Sequence, residues 1–154
     1  SYTTRPKRNE NEKGHIFVTQ EEFDEVRDKL VAYVEYEGYE YGVPKEELFE
    51  NDVYIIDPEG IEYMMSKMTE EDTDKIDFII TYLNIPEDLQ IKRLCERDGD
   101  EKALKRYIHD KKAFNRITEL SKQDNYHDLP VEDKANKGIL ANKIYKIYSN
   151  AVLQ

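Results

Sequence analysis

Apolar positions recur along this chain at two spacings, which separate candidate helices from candidate strands. After Thr19, the apolar residues Phe23, Val26 and Leu30 are three or four positions apart, which predicts a helix with one buried face. Thr19 and Glu22 fit the pattern of a capping box, in which the side chains of the first residues close the start of a helix. The segment therefore predicts a helix that begins directly after Thr19.

Two other segments are apolar without clean alternation, residues 53–57 (VYIID) and residues 76–83 (IDFIITYL). Such runs are expected for strands that are buried on both faces of a parallel sheet. Residues 15–18 (HIFV) are a further short strand candidate. Residues 30–43 alternate aromatic with small or acidic residues around Gly38, which predicts a hairpin.

The remaining periodic segments predict helices, separated by few glycines and prolines. These helices are expected at 44–50, at about 59–68, from Pro86 to about Arg97, at about 102–121 and from Ile139 to Val152, with a turn at 98–101 and a weak strand candidate at 126–132. Alternation of strands and helices predicts an α/β fold with a parallel sheet. The hairpin at 30–43 is then an inserted subdomain.

Composition narrows the class of protein. The chain has 154 residues, one cysteine, a net charge of −11 and 37% charged residues. This charge disfavours broad binding to DNA or anionic membranes, and no apolar run approaches the roughly 18 residues of a membrane span. The single cysteine cannot form an internal disulfide, and the three histidines lack the spacing of metal ligands. We therefore expect a cytoplasmic domain without a metal site of its own and without a nucleic-acid or membrane partner.

The first eight residues, SYTTRPKR, carry candidate chemistry. Arg5 and Arg8 are three positions apart and stand beside three hydroxyl side chains. Guanidinium groups pair bidentately with phosphate oxygens, and hydroxyl groups can satisfy the remaining lone pairs. The segment is thus a candidate phosphate clamp, and the alternative is a solvated basic tail.

The order of several motifs favours the clamp. S-x-T-T-R-x-x-R at the start is followed by a G-x-x-F-V strand, a T-x-E-E-F helix, a hairpin ending in G-x-x-Y-G and a D-x-x-G segment. These motifs lie at 1–8, 14–18, 19–23, 38–42 and 57–60. In this order and spacing they resemble guanylate kinase. The later stretch 89–97, which includes R-L-x-x-R, resembles the helix that enters the mobile lid of that family.

The resemblance implies a fold and its subdivisions. It implies a single domain over residues 1–154 with the P-loop NTPase-like architecture of nucleoside monophosphate kinases: a parallel sheet flanked by helices, a small β-rich acceptor-binding subdomain and a helical lid. The subdomain is expected at about 5–50, the core at about 51–97 and 103–154, and the lid at about 97–106.

The resemblance also implies roles for acceptor-side residues. Ser1, Arg5, Arg8 and Tyr41 would hold the phosphate of the acceptor, GMP, dGMP or a related nucleoside monophosphate, and Asp57 would face its base. There are alternatives for two of them. Asp57 precedes Pro58 and fits a residue that ends a strand at a turn, and Tyr41 is one of 12 tyrosines, some of which simply pack on the hairpin.

On the donor side, Arg97 and Arg106 would close over the transferring phosphoryl group as lid arginines, with Arg93 as a third. The alternative is that both are surface residues of two helices. Family members use ATP with Mg²⁺ as the donor and need no protein nucleophile, because phosphoryl transfer depends mainly on positioning and charge. A monomer or a homodimer is expected.

Three positions depart from the family's pattern. Ala32 and Val43 stand where residues that read guanine are expected, and His15 stands in place of a phosphate-binding tyrosine. An apolar side chain cannot replace a hydrogen-bond partner, so discrimination between bases is expected to fall. The alternative function is a catalytically inactive guanylate-kinase-like module that binds a phospho-ligand or phosphopeptide.

Three further expectations concern the ends of the chain and its acidic run. No G-x-x-x-x-G-K-[ST] phosphate loop occurs in the sequence, so the chain is expected to lack the first strand, phosphate loop and helix of the family. Residues 151–154 (AVLQ) resemble a viral main-protease cleavage sequence, with a natural helix end as the alternative. Residues 70–72 are expected to be a solvated acidic loop.

Overall fold

The chain folds into two units, residues 1–77 and 78–154. The structure is a computed structural model that describes residues 1–132 and 137–152. Leu153 and Gln154, which belong to the candidate cleavage sequence, lie outside the described residues. Within the described residues, no helix is both long enough and apolar enough to cross a membrane.

The first unit contains a four-stranded sheet in the order β2-β1-β4-β3. Its strands are β1 (Tyr2–Thr3), β2 (Ile16–Phe17), β3 (Leu30–Tyr36) and β4 (Tyr39–Pro44). β1 is parallel to β2 and antiparallel to β4, and β3 and β4 form the predicted hairpin. Glu37 and Gly38 both have positive φ, as a two-residue hairpin loop requires.

Four helices complete the first unit. They are α1 (Gln20–Val26), α2 (Lys45–Phe49), α3 (Pro58–Lys67) and α4 (Glu70–Thr73), with a 3₁₀ turn at Arg27–Lys29. The capping box is confirmed: the Thr19 hydroxyl accepts a hydrogen bond from the backbone of Glu22, whose carboxylate accepts one from the backbone of Thr19. α1 places Phe23, which is completely buried, under the sheet.

Close packing beneath the hairpin explains one glycine. A Cβ atom at Gly42 would lie 2.6 Å from Cδ1 of Leu30 and 3.1 Å from the ring of Phe23. Neither neighbour has room to move, because both are buried. Gly42 therefore lets strand β4 approach the core.

Two sequence predictions for this unit are wrong. Residues 53–57 do not form a strand, and Val53 and Ile55 are 74% and 94% exposed. A strand exists only against a partner, and no described strand pairs with this segment. The acidic run is not a solvated loop either: it forms α4, and the buried carboxylate of Asp72 pairs with Lys45 and with the backbone of Thr69.

The second unit has a parallel pair of strands, β5 (Ile80–Asn84) and β6 (Tyr126–Pro130). Its helices are α5 (Glu87–Asp98), α6 (Asp100–Phe114), α7 (Ile117–Leu120) and α8 (Lys137–Val152). The turn predicted at 98–101 shrinks to Gly99, whose φ of +79° ends α5 directly before α6. The helix predicted at 102–121 is interrupted after Phe114.

Candidate functional site

Strand β1 lies between β2 and β4 and carries the clamp motif into the first unit. Its two threonines are used by the fold. The Thr3 hydroxyl is fully buried and accepts a hydrogen bond from the backbone N–H of Arg5 at 3.2 Å. The Thr4 hydroxyl accepts one from the backbone N–H of Glu40 at 2.9 Å. These hydroxyls therefore fix the course of the chain into Arg5, whereas the sequence had suggested phosphate ligands.

The guanidinium of Arg5 lies in a defined setting. Nη2 donates to Oε1 of Glu12 at 2.7 Å, and Nη1 donates to Oε2 of Glu12 at 3.3 Å and to the carbonyl of Pro6 at 2.8 Å. Its carbon Cζ lies 5.4 Å from the centre of the Phe17 ring. Hydrogen bonding to Glu12 raises the pKa of Arg5, and the side chain is only 11% exposed. The cation is thus held in place before any ligand arrives.

The same carboxylate joins Arg8 to the site. The backbone N–H of Arg8 donates to Oε2 of Glu12 at 2.6 Å, and its guanidinium Nη1 lies 3.9 Å from Oε1. The hydrogen bonds from Arg5 and then from Arg8 lower the pKa of Glu12 to about 2. The Arg8 side chain remains 72% exposed and can turn toward an anion.

Ser1 and Tyr41 both contact the side chain of His15. The Ser1 hydroxyl lies 2.9 Å from Nδ1 of His15, and the centre of the imidazole lies 5.8 Å from the Tyr41 ring in an edge-to-face arrangement. Tyr41 pairs with Thr3 across the sheet and contributes to the raised pKa of Arg5. The structure therefore gathers four residues that the sequence proposed as phosphate ligands: Ser1, Arg5, Arg8 and Tyr41.

Asp57 has a structural role. It is the N-cap of α3, and its Oδ1 accepts a hydrogen bond from the backbone N–H of Gly60 at 2.6 Å. Tyr54 interacts with both Asp57 and Ser1: the Ser1 side chain is hydrogen-bonded to its phenol. Burial is the main cause that raises the pKa of Tyr54 to about 12, and the nearby charge of Asp57 acts in the same direction. Asp57 thus lies near the clamp without contacting its arginines.

The positions expected to read guanine are apolar and buried. Ala32 and Val43 are 3% and 2% exposed and face each other as partners on β3 and β4. Neither side chain has a polar atom. At these two positions the chain offers no hydrogen bond to a base.

The candidate lid arginines lie in the second unit, on consecutive helices. Arg97 is in the last turn of α5 and donates from Nε and Nη2 to the carboxylate of Asp98 at 2.8 Å and 2.5 Å. Arg106 is on α6, with Nε 3.4 Å from Asp110. Arg93 is half-buried on α5. Both lid candidates are thus held by neighbouring carboxylates on their own helices or at their ends.

The described residues do not fit a site for Mg²⁺. Across residues 1–132 and 137–152, no cluster of three or more His, Cys, Asp or Glu side chains could hold a metal ion. The sequence also contains no phosphate loop. We therefore derive no step through Mg²⁺ from this chain.

Glu12 is the residue that sequence reasoning missed. It organises both arginines of the clamp, yet in the sequence it is one of four acids within residues 10–22 that follow a basic run. The only available signal was its position four residues after Arg8. That signal is weak, because the same spacing is common on unrelated charged surfaces.

Comparisons with known proteins agree with this architecture. No protein-family model matches the chain, and no curated protein matches it. Among solved structures, the chain is similar to the guanylate kinase from Anaplasma phagocytophilum, with a TM-score of 0.63 and 21% identity over 99% of this chain and 74% of that chain. The fold is therefore a mixed α/β fold similar to that of guanylate kinase. At this identity the likeness establishes the fold alone.

Proposed function

We propose that this chain binds the phosphate of a nucleoside monophosphate, GMP, dGMP or a relative, and belongs to a kinase that transfers the γ-phosphoryl group of ATP to it. The observation that carries the proposal is the convergence of Ser1, Arg5, Arg8 and Tyr41 around His15 and Glu12 in a guanylate-kinase-like fold. Such a cluster suits a dianion, because guanidinium groups bind phosphate by charge and by paired hydrogen bonds.

The proposed transfer step uses Arg97 and Arg106. Phosphoryl transfer needs stabilisation of charge on the transferring group and no covalent protein intermediate, so arginines suffice as catalytic groups. ATP, with Mg²⁺, would be the second substrate and would supply the phosphoryl group. The support for these two roles is the resemblance in motif order and the guanylate-kinase-like fold.

A second candidate function is favoured by Ala32 and Val43. Their burial and lack of polar atoms leave the site without the hydrogen bonds that distinguish guanine. A module that binds a phosphoserine peptide or another phospho-ligand through Arg5 and Arg8 needs no base recognition. This candidate shares the clamp with the kinase and differs in the rest of its ligand.

The first experiment measures ATP consumption by the full-length product of the gene that encodes this chain, with each common nucleoside monophosphate as acceptor. We expect turnover with at least one acceptor, and a loss of about 10³-fold when Arg97 or Arg106 is replaced by alanine. Lys105→Ala is the matched control, because Lys105 lies on the same helix as Arg106 and pairs only with Glu101 on the surface. Absence of turnover with every acceptor would contradict the kinase.

Calorimetry separates the two candidates. A titration of the chain with GMP and with a phosphoserine peptide shows which phosphate compound binds more tightly. Tighter binding of GMP supports the kinase, and tighter binding of the peptide supports the module. Binding of neither contradicts the clamp itself.

A further inference from the structure

His15 is a titratable residue inside the candidate phosphate site for which the proposed transfer has no role. Its imidazole is half-buried and contacts Ser1 through Nδ1 at 2.9 Å. The edges of Phe17 and Tyr41 enclose it, with ring centres 6.0 Å and 5.8 Å away. A polar ring between two aromatic rings and a hydroxyl has a restricted orientation.

Cations dominate the electrostatic environment of this imidazole. Burial is the main cause that lowers the pKa of His15, and Arg5 and Arg8 lower it further, while Glu12 acts in the opposite direction. Free of ligand, the ring is therefore biased toward its neutral form by the same cations that attract phosphate.

A bound phosphate reverses this bias. A dianion beside Arg5 and Arg8 adds two negative charges to a site that holds a single carboxylate, Glu12, among the described residues that act on His15. A nearby opposite charge favours protonation of an imidazole. The Glu12 carboxylate does not compete for this proton, because its pKa is about 2.

We propose that His15 takes up a proton from solvent when a phosphate dianion binds beside Ser1 and Arg5, and that the imidazolium becomes a further phosphate ligand that makes binding depend on pH. The proposal rests on the proposed function, since it requires the clamp to bind phosphate. It assigns to His15 a role that a tyrosine at this position cannot perform, because a phenol does not change charge near neutral pH.

Protonation also changes what Ser1 can do. In the neutral ring with hydrogen on Nε2, Nδ1 accepts the hydrogen of the Ser1 hydroxyl. After protonation Nδ1–H donates to the Ser1 oxygen, so the hydroxyl hydrogen of Ser1 is released toward the phosphate. One proton from solvent thus frees one further donor for the ligand, the Ser1 hydroxyl, while Nε2–H is present in both protonation states.

Proton NMR of the whole chain tests this directly, because the protein has only three histidines. The pKa of His15 is measured from its ring resonances without and with saturating GMP. We expect it to rise by about 1 to 3 with GMP, while the ring resonances of His109 and His127 in the second unit do not respond to GMP.

His15→Asn supplies the second measurement. Asparagine can keep a hydrogen bond to Ser1 but cannot carry the proton. We expect its GMP affinity at pH 6 to be lower than that of the wild type by about tenfold or more, and its affinity to vary little from pH 6 to 8, whereas that of the wild type falls as the pH rises. His127→Asn is the matched control and behaves like the wild type.

The outcomes separate this proposal from the proposed function. If GMP binds and Arg5→Ala weakens its binding, but the pKa of His15 does not move, the role of His15 is refuted and the clamp stands. If the affinity of His15→Asn falls with pH as steeply as that of the wild type, the role of His15 is likewise refuted. If GMP and inorganic phosphate both fail to bind the wild type, the clamp fails and the role of His15 fails with it.

Discussion

Arg5 and Glu12 form a two-point ion pair, with Nη2 to Oε1 at 2.7 Å and Nη1 to Oε2 at 3.3 Å. The same carboxylate accepts the backbone N–H of Arg8 at 2.6 Å. One acid therefore fixes the side chain of the first arginine and the backbone of the second. The geometry of the candidate phosphate site is set by an anion within it, and a phosphate ligand meets cations that are already oriented but partly neutralised.

Replacement of Arg5 tests whether the oriented cation binds phosphate. We expect Arg5→Ala to weaken GMP binding by about 10- to 100-fold, because hydrogen bonds to a charged group are lost. The measurement is calorimetry of the variant chain. Lys7→Ala is the control: Lys7 is exposed and lies 5.3 Å from the centre of the Phe17 ring, so its loss should change affinity less than about threefold. Equal losses in both variants would mean that general positive charge, and not this site, binds the ligand.

Replacement of Glu12 tests the opposing charge. Glutamine keeps one acceptor oxygen at this place, replaces the other with an amide N–H₂ donor and removes the carboxylate charge, so Glu12→Gln should tighten GMP binding by about 3- to 10-fold at low salt. The free energy of unfolding should fall, because the ion pair with Arg5 is lost. Calorimetry measures the affinity for GMP, and urea denaturation measures the free energy of unfolding.

Glu10→Gln is the matched control for this variant, since Glu10 is exposed on the same loop. We expect little change in either quantity. Weaker GMP binding by Glu12→Gln would show that orientation of Arg5 outweighs the charge of the carboxylate.

Two replacements of Asp57 distinguish its role as a helix cap from a role in binding the acceptor base. As the N-cap of α3 it should contribute about 1 kcal/mol to stability, which Asp57→Ala loses and Asp57→Asn retains, because asparagine caps helices equally well. If Asp57 also faces the acceptor base, Asp57→Asn should weaken GMP binding while binding of inorganic phosphate stays the same. Denaturant unfolding and calorimetry together decide, and equal GMP affinity in the asparagine variant would leave Asp57 with capping alone.

The elements that the sequence predicted well are local ones. The capping box at Thr19 and the hairpin around Gly38 depend on residues within a few positions of each other, so their patterns carry most of the information that decides them. Strand 53–57 failed for the opposite reason. Its apolar residues suit a strand, but a strand requires hydrogen bonds from a partner elsewhere in the chain, and no described strand supplies them.

The candidate site divides in the same way. The cations Arg5 and Arg8 were predictable from their spacing, because the required residue types are adjacent in the sequence. The partners that hold them were not. Glu12 reaches Arg5 only because the chain reverses between them, where the backbone of Glu12 donates to the carbonyl of Asn9 at 3.2 Å. Likewise, the Thr4 hydroxyl accepts a hydrogen bond from the backbone N–H of Glu40, which lies 36 positions away.

Burial of Ala32 and Val43 predicts weak discrimination between bases. Polar recognition of a base distinguishes substrates by large factors, whereas apolar walls distinguish them by about 10- to 200-fold at most. We expect the affinities for GMP and AMP to agree within about tenfold in parallel titrations. A preference for GMP above about 10³-fold would mean that other residues read the guanine.

Acid should destabilise the first unit, and Glu40 provides the clearest case. Its carboxylate accepts hydrogen bonds from Arg27 at 2.5 Å and 2.9 Å and from the Tyr33 hydroxyl at 2.8 Å, and the bond from Arg27 is the main cause that lowers its pKa from 4.5 to about 2. Because the folded-state pKa lies below the unfolded value, the unfolded chain binds more protons between these two pH values. The contribution of Glu40 to stability is therefore complete above about pH 4.5 and is lost as the pH falls toward 2.

Thermal unfolding from pH 6 to 2.5 should show a smaller loss of Tm in Glu40→Gln than in the wild type. The exposed Glu35→Gln, whose side chain lies on the same hairpin, should follow the wild-type curve, and parallel curves for all three proteins would contradict the assignment.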